Sequence, residues 1–234
     1  QTLTGDANNE YFGNSVAVDG NTAVIGADNA IATGTARKGA VYVYSRGGTG
    51  TWSRVTRIAA PAEATGTAQF GSGVALSGDW LAVNARNDGP FRGGLRGTAG
   101  STYLYRRSGT WTLHRKLVPD PDVAQETGWE STELKGGVLA IGAQRGFNTV
   151  SPFTYGGAAY IYTLDAGGNN WSATPQKLPA TTPADGAGFG SDITIDGNRM
   201  MIGASGNSTR APFTPIPKEP AACGRRMESS AAPI

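Results

Sequence analysis

The chain has 234 residues, enough for one substantial domain with a buried core, and its 35 glycines, 13 prolines and 16% charged residues suit a turn-rich β protein better than a helical one. A net charge of +2 gives too weak a field to argue for nucleic acid or a membrane surface as partner. The single Cys223 excludes an internal disulfide, a cysteine zinc cluster and a CxxC redox pair, and there is no apolar run of about eighteen residues to insert in a bilayer.

An anchor recurs at Phe12-Gly13, Phe70-Gly71, Trp129-Glu130 and Phe189-Gly190, at spacings of 58, 59 and 60 residues. Each anchor leads into an alternating strand, a tight turn and a second strand, as in Ser15 to Val18 with Thr22 to Ile25, or Val74 to Leu76 with Leu81 to Val83. The turns are Asp19-Gly20, Ser77-Gly78, Lys135-Gly136 and Asp196-Gly197, where glycine supplies the positive φ that a two-residue hairpin needs. The second strands end in small pairs, Gly26-Ala27, Asn84-Ala85, Gly142-Ala143 and Gly203-Ala204, expected where inner strands crowd toward an axis.

After a longer loop comes a third strand, Ala40 to Tyr44, Ser101 to Tyr105 or Ala158 to Tyr162, and a tryptophan then marks the fourth at Trp52, Trp111 and Trp171. The regular place of these tryptophans predicts packing between blades. The fourth copy stops short, with neither a tyrosine-bearing third strand nor a tryptophan after Ala204. Pro212, Pro215, Pro217, Pro220 and Pro233 mark residues 210–234 as an irregular tail. The expected fold is all-β: a β-propeller of four-stranded antiparallel blades over residues 1–209, with copies near 12–59, 70–118, 129–179 and a partial one at 189–209. Gln1 to Thr4 stand where a fourth strand precedes an anchor, and could close a ring by covering the open edge.

The aromatic-Gly anchor, the SVAV-type strand, the VIGA ending and the GAVYVY strand together resemble FG-GAP repeats over roughly residues 1 to 204. That family forms the propeller of integrin α-subunits, and similar units occur in fungal lectins and bacterial surface proteins. The resemblance implies a binding or adhesion propeller outside the cell or on its surface. Such blades often carry a DxDxDG calcium loop between the first two strands. Here Asp19-Gly20-Asn21 and Asp196-Gly197-Asn198 supply too few oxygens for it, so no cofactor is expected.

Two acidic linkers remain, Asp6, Asn8 and Glu10 in one and Asp120 and Asp122 in the other; alternating oxygens could hold a cation there, or serve only as solvated linker. The third copy has Glu130 in place of the anchor glycine, which would open that blade or set a carboxylate at its rim.

Strand alternation sends the loops between second and third strands, Asp28 to Lys38, Arg86 to Ala99 and Gln144 to Gly156, to the same face as the blade linkers. Long loops on a rigid scaffold are the usual place for binding. Arg86, Phe91, Arg92 and Arg96 gather in one loop and Arg145, Phe147, Phe153 and Tyr155 in the next, a composition suited to sugars, carboxylates or sulfates, and equally to solubilising charge. No catalytic residue is expected: the one histidine, His114, lies on a predicted strand without a HExxH or triad-like setting. Three functional readings follow: recognition of a glycan or protein surface, an assembly module that completes a larger propeller or homo-oligomer through an open edge, and an accessory domain of a secreted enzyme.

Overall fold

The alternating segments behind each anchor fold into antiparallel strands joined by glycine turns. The computed structural model describes residues 1–89, 100–118, 129–144, 156–180, 188–206 and 213–215. Blade one is β1 (Val16–Asp19) and β2 (Thr22–Ala27), a small hairpin of β3 (Ile31–Thr33) and β4 (Ala36–Arg37) within the loop, then β5 (Ala40–Arg46) and β6 (Trp52–Ala59). Blade two is β7 (Phe70–Ser77), β8 (Trp80–Ala85), β9 (Ser101–Ser108) and β10 (Thr110–Leu117). Blade three is β11 (Trp129–Lys135), β12 (Val138–Ala143), β13 (Ala158–Thr163) and β14 (Gln176–Pro179). Blade four is a three-stranded sheet of β15 (Phe189–Asp196), β16 (Arg199–Ala204) and β17 (Phe213–Pro215).

Within each blade the strands pair in sequence order, as a propeller requires. The first hairpin closes Asp19 on Thr22, Ser77 on Trp80, Lys135 on Val138 and Asp196 on Arg199, with two residues in every turn. Gly20 takes φ 55° there, a conformation that side chains with a Cβ resist.

The core lies between blades. One cluster joins Val24, Val41 and Val43 of blade one to Phe70, Val74 and Leu76 of blade two. A second joins Trp80 and Leu104 to Leu134, Ile141 and Trp171 of blade three. A third joins Ala140, Ala159 and Ile161 to Phe189, Ile193 and Ile195 of blade four. Trp171 is buried and meets Trp80 edge-on at 5.5 Å, while Trp111 packs half-buried on the first cluster, so these two tryptophans serve blade packing as expected. At roughly 25 cal/mol per Å² of apolar surface removed from water, this stacking is the main source of stability.

The small residues at the ends of β2 and β12 have a more specific cause than crowding at an axis. A Cβ at Gly26 would lie 2.1 Å from the Gly71 carbonyl oxygen, and one at Gly142 would lie 2.0 Å from that of Gly190. The Ser15 and Ser131 hydroxyls donate to those same carbonyls at 2.8 and 2.9 Å. Gly71 and Gly190 are thus knobs, each seated in the preceding blade.

Three expectations change. Phe213–Pro215 pairs with β16, so a third strand of blade four lies inside the segment expected to be irregular. Residues 1–4 form no strand; Gln1 instead exchanges two hydrogen bonds with the Trp52 backbone and Thr4 accepts from the Tyr44 hydroxyl, which ties the N-terminus to blade one. In blade three, Glu130 alone stands between the paired residues Trp129 and Ser131, where Gly71 and Ser72 stand between Phe70 and Gly73 in blade two. The third copy therefore has lost a residue from the bulge as well as its glycine.

Candidate functional site

Because β2, β8, β12 and β16 are equivalent strands, the residues that leave them, Asp28, Arg86, Gln144 and Ser205, follow one another along the arc of blades on the long-loop face. They join in neighbouring pairs. The Arg86 guanidinium lies 3.5 Å from the Asp28 carboxylate across the first seam and donates through Nε to Gln69 Oε1 at 2.7 Å. The Gln144 amide donates to Ser205 Oγ at 2.6 Å across the third.

Asp28 is 3% exposed, and its Oδ1 has no hydrogen-bond partner among the described residues. Burial pushes its carboxyl above the ordinary range, against the opposing pull of Arg86 and Asn14. Beside it the Arg86 side chain stays 45% exposed. The buried carboxylate backs a solvent-facing fork of donors, which suits a hydroxyl oxygen or an acidic group held by the guanidinium.

Each of the first two blades carries a buried tie behind this face. In blade two, Tyr103 donates to Asp88 Oδ2 at 2.6 Å, Lys116 lies 2.8 Å from the same oxygen, and the Thr65 N–H donates to Oδ1 at 2.8 Å. Burial would raise the Asp88 carboxyl, but Lys116, Ser101, Tyr103 and Thr65 outweigh it and hold it at about 2. In blade one, Tyr42 donates to Glu10 Oε2 at 2.8 Å and receives Arg57 Nε at 3.2 Å. These ties fasten a loop or linker to the fourth strand and keep the face rigid.

Of the residues expected to bind ligand, Arg86 is in place on this face; Phe91, Arg92, Arg96, Arg145, Phe147 and Tyr155 lie outside the described residues, as do Asp120 and Asp122. In the other acidic linker, Asp6 pairs with Arg54 and Arg57, Glu10 accepts from Tyr42 and from the Asp6 N–H at 3.2 Å, and Asn8 is exposed. Asp6 thus pairs with two arginines and Glu10 Oε2 accepts from two donors of the chain, and the described residues include no group of three or more His, Cys, Asp or Glu able to hold a metal.

Sequence reasoning missed Asp28, whose signal was its place directly after Gly26-Ala27, where Arg86 follows Asn84-Ala85. It also missed a cleft of about 400 Å³ between blades one and two, lined by Val43, Ile58, Trp111, Arg107 and Thr22. That cleft opens toward the short turns, and Arg107 lies 5.3 Å over the Trp111 ring and pairs with Asp79 at 2.9 Å, so the exposed aromatic surface is already covered. His114 is exposed, with its ring 4.9 Å from Trp80.

Residues 3–44 and 52–105 match the family model described as FG-GAP repeat. No curated protein matches the chain. The third and fourth blades, beyond that match, repeat its seam, since Phe189 bridges Gly157 in parallel as Phe70 bridges Gly39. Residues 3–44 and 52–105 are thus similar to FG-GAP repeats, and the stacked antiparallel sheets give the chain an all-β, propeller-like fold.

Proposed function

We propose that this chain is a non-catalytic recognition propeller, acting outside the cell or at its surface, that holds a glycan or protein surface against its long-loop face. FG-GAP repeats are often found in adhesion and surface-binding proteins and typically occur in extracellular or surface proteins. No helix is long and apolar enough to cross a membrane among the described residues. The observation that carries the reading is the asymmetry of the two faces. One carries the two-residue turns and the third-to-fourth-strand connections at 47–51, 109 and 164–175, whereas the other carries all the second-to-third-strand loops, the blade linkers and the Asp28 and Arg86 pair, a buried acceptor beside exposed donors.

The mechanism of recognition is binding alone. Arg86 supplies charge-assisted hydrogen bonds to a hydroxyl or acidic group, the buried Asp28 carboxylate holds the guanidinium from behind, and the ties at Asp88 and Glu10 hold the loops in place so that little entropy is lost on binding. The reading assigns no cofactor. It is tested by probing a glycan array with the purified chain and with Arg86→Ala, in calcium and in chelator. Selective signal that falls in the variant and persists in chelator supports it; signal that needs calcium overturns the cofactor-free part, and a silent array overturns the glycan reading.

A further inference from the structure

The seam between blades one and two differs from the seam between blades two and three at one place, near the short turns. Thr22 and Trp80 hold the same position, paired across the hairpin turn with Asp19 and Ser77. The Trp80 ring fills its seam. It is 6% exposed, meets Trp171 of blade three edge-on at 5.5 Å, has the His114 ring at 4.9 Å, and carries the Arg106 guanidinium 5.3 Å over its face.

Each of those neighbours has a counterpart around Thr22. Ser45 pairs with Thr22 as Arg106 pairs with Trp80. Val55 falls in the register shift of β6 as His114 falls in that of β10. Trp111 pairs with Arg107 as Trp171 pairs with Leu164, so it faces the first seam as Trp171 faces the second. With threonine in place of the indole and serine in place of the arginine above it, the first seam keeps its walls and lacks the filling. What remains is the cleft of about 400 Å³, lined by Thr22, Val43, Ser45, Val55, Thr56 and Trp111. That volume falls within the roughly 300–1,000 Å³ of small-molecule sites.

We propose that this cleft binds a small, uncharged planar aromatic molecule of indole size, which takes the place that the Trp80 side chain fills in the next seam. The apolar walls remove the ring from water, and the hydroxyls of Thr22, Ser45 and Thr56 meet a single polar group on it. A neutral guest is selected because Arg107, the one charged residue of the lining, is already matched by Asp79 at 2.9 Å. Arg107 also reaches across the seam and donates to Thr22 Oγ1 at 3.1 Å. A side chain thus crosses the opening, which favours a free ring over one carried on the main chain of a partner. The site lies on the turn side, so its test is independent of glycan binding at Arg86.

The test is titration of the isotope-labelled full chain with indole, followed by NMR at the tryptophan side-chain N–H signals, with that of Trp111 assigned from its absence in Trp111→Phe. Two variants close the cleft: Thr22→Trp, which copies Trp80, and Ser45→Trp, at an exposed position that the fold tolerates. Circular dichroism confirms that each is folded. The expected result is a saturable shift of the Trp111 signal with a Kd of about 1 mM or tighter, and binding weakened by about tenfold or more in each folded variant. A Gly-Trp-Gly tripeptide is expected to bind about tenfold more weakly than indole. The absence of a saturable shift, or undiminished binding in a folded variant, overturns the proposal. A tripeptide that matches indole overturns the free ring as occupant and assigns the cleft to a tryptophan of a partner protein.

Discussion

Gly39 and Phe70 pass so closely between blades one and two that a Cβ on Gly39 would lie 2.1 Å from the Phe70 carbonyl oxygen. The Phe70 N–H donates to Lys38 O at 2.8 Å, and Gly157 and Phe189 repeat the arrangement between blades three and four. Blades are thus joined by backbone as well as by apolar burial. Gly39→Ala and Gly157→Ala are each expected to cost about 3 kcal/mol or more, combining strain at positive φ with a clash against backbone. Gly20→Ala, at positive φ with nothing within 4 Å, should cost only about 1 kcal/mol. Urea unfolding of the three variants checks the order.

Asp88 makes stability depend on acid. Its folded carboxyl is depressed to about 2 from 3.8, so its contribution is complete above the unfolded value and is lost as pH falls from there through about 2. The depression corresponds to about 2 kcal/mol. Unfolding free energy measured against pH should show this loss, and Asp88→Asn should remove it while costing about 3 kcal/mol at neutral pH by leaving Lys116 and Tyr103 without their charged partner.

Asp28 has the opposite sign. Burial raises its folded carboxyl, so its effect on stability worsens as pH rises from the unfolded value through the folded one. Asp28→Asn is expected to stabilise the chain at neutral pH by about 1 kcal/mol and to weaken glycan binding at the same time by releasing the Arg86 guanidinium. Thermal unfolding and titration of an array-identified glycan read the two effects; a variant that is both less stable and fully competent to bind contradicts the assignment.

The repeat, the hairpin turns and the four-stranded pattern were legible because each rests on local chemistry, the glycine at Gly20 or the alternation ending at Tyr44. The seams were not, because they depend on contacts between copies. Gly26 reads as a small residue of an inner strand until Gly71 is seen against it, and nothing local in the aspartate at Asp28 announces that its neighbour is Arg86. The strand at Phe213–Pro215 was hidden by the prolines around it; as the outermost strand of its sheet among the described residues it can hold Pro215, whose missing donor an edge tolerates. For the acidic linker, sequence shows only that oxygens alternate, and not that Arg54, Arg57 and Tyr42 come from later strands to occupy them.

The central claim, that recognition belongs to the long-loop face, is tested most directly by comparing Arg86→Ala with Arg107→Ala in binding to one array-identified glycan. Arg86 marks the loop face and Arg107 the cleft at the turn face. A loss of tenfold or more in affinity, about 1.4 kcal/mol, is expected for Arg86→Ala with Arg107→Ala unchanged. Loss confined to Arg107→Ala would contradict the account and move the site to the cleft between blades one and two.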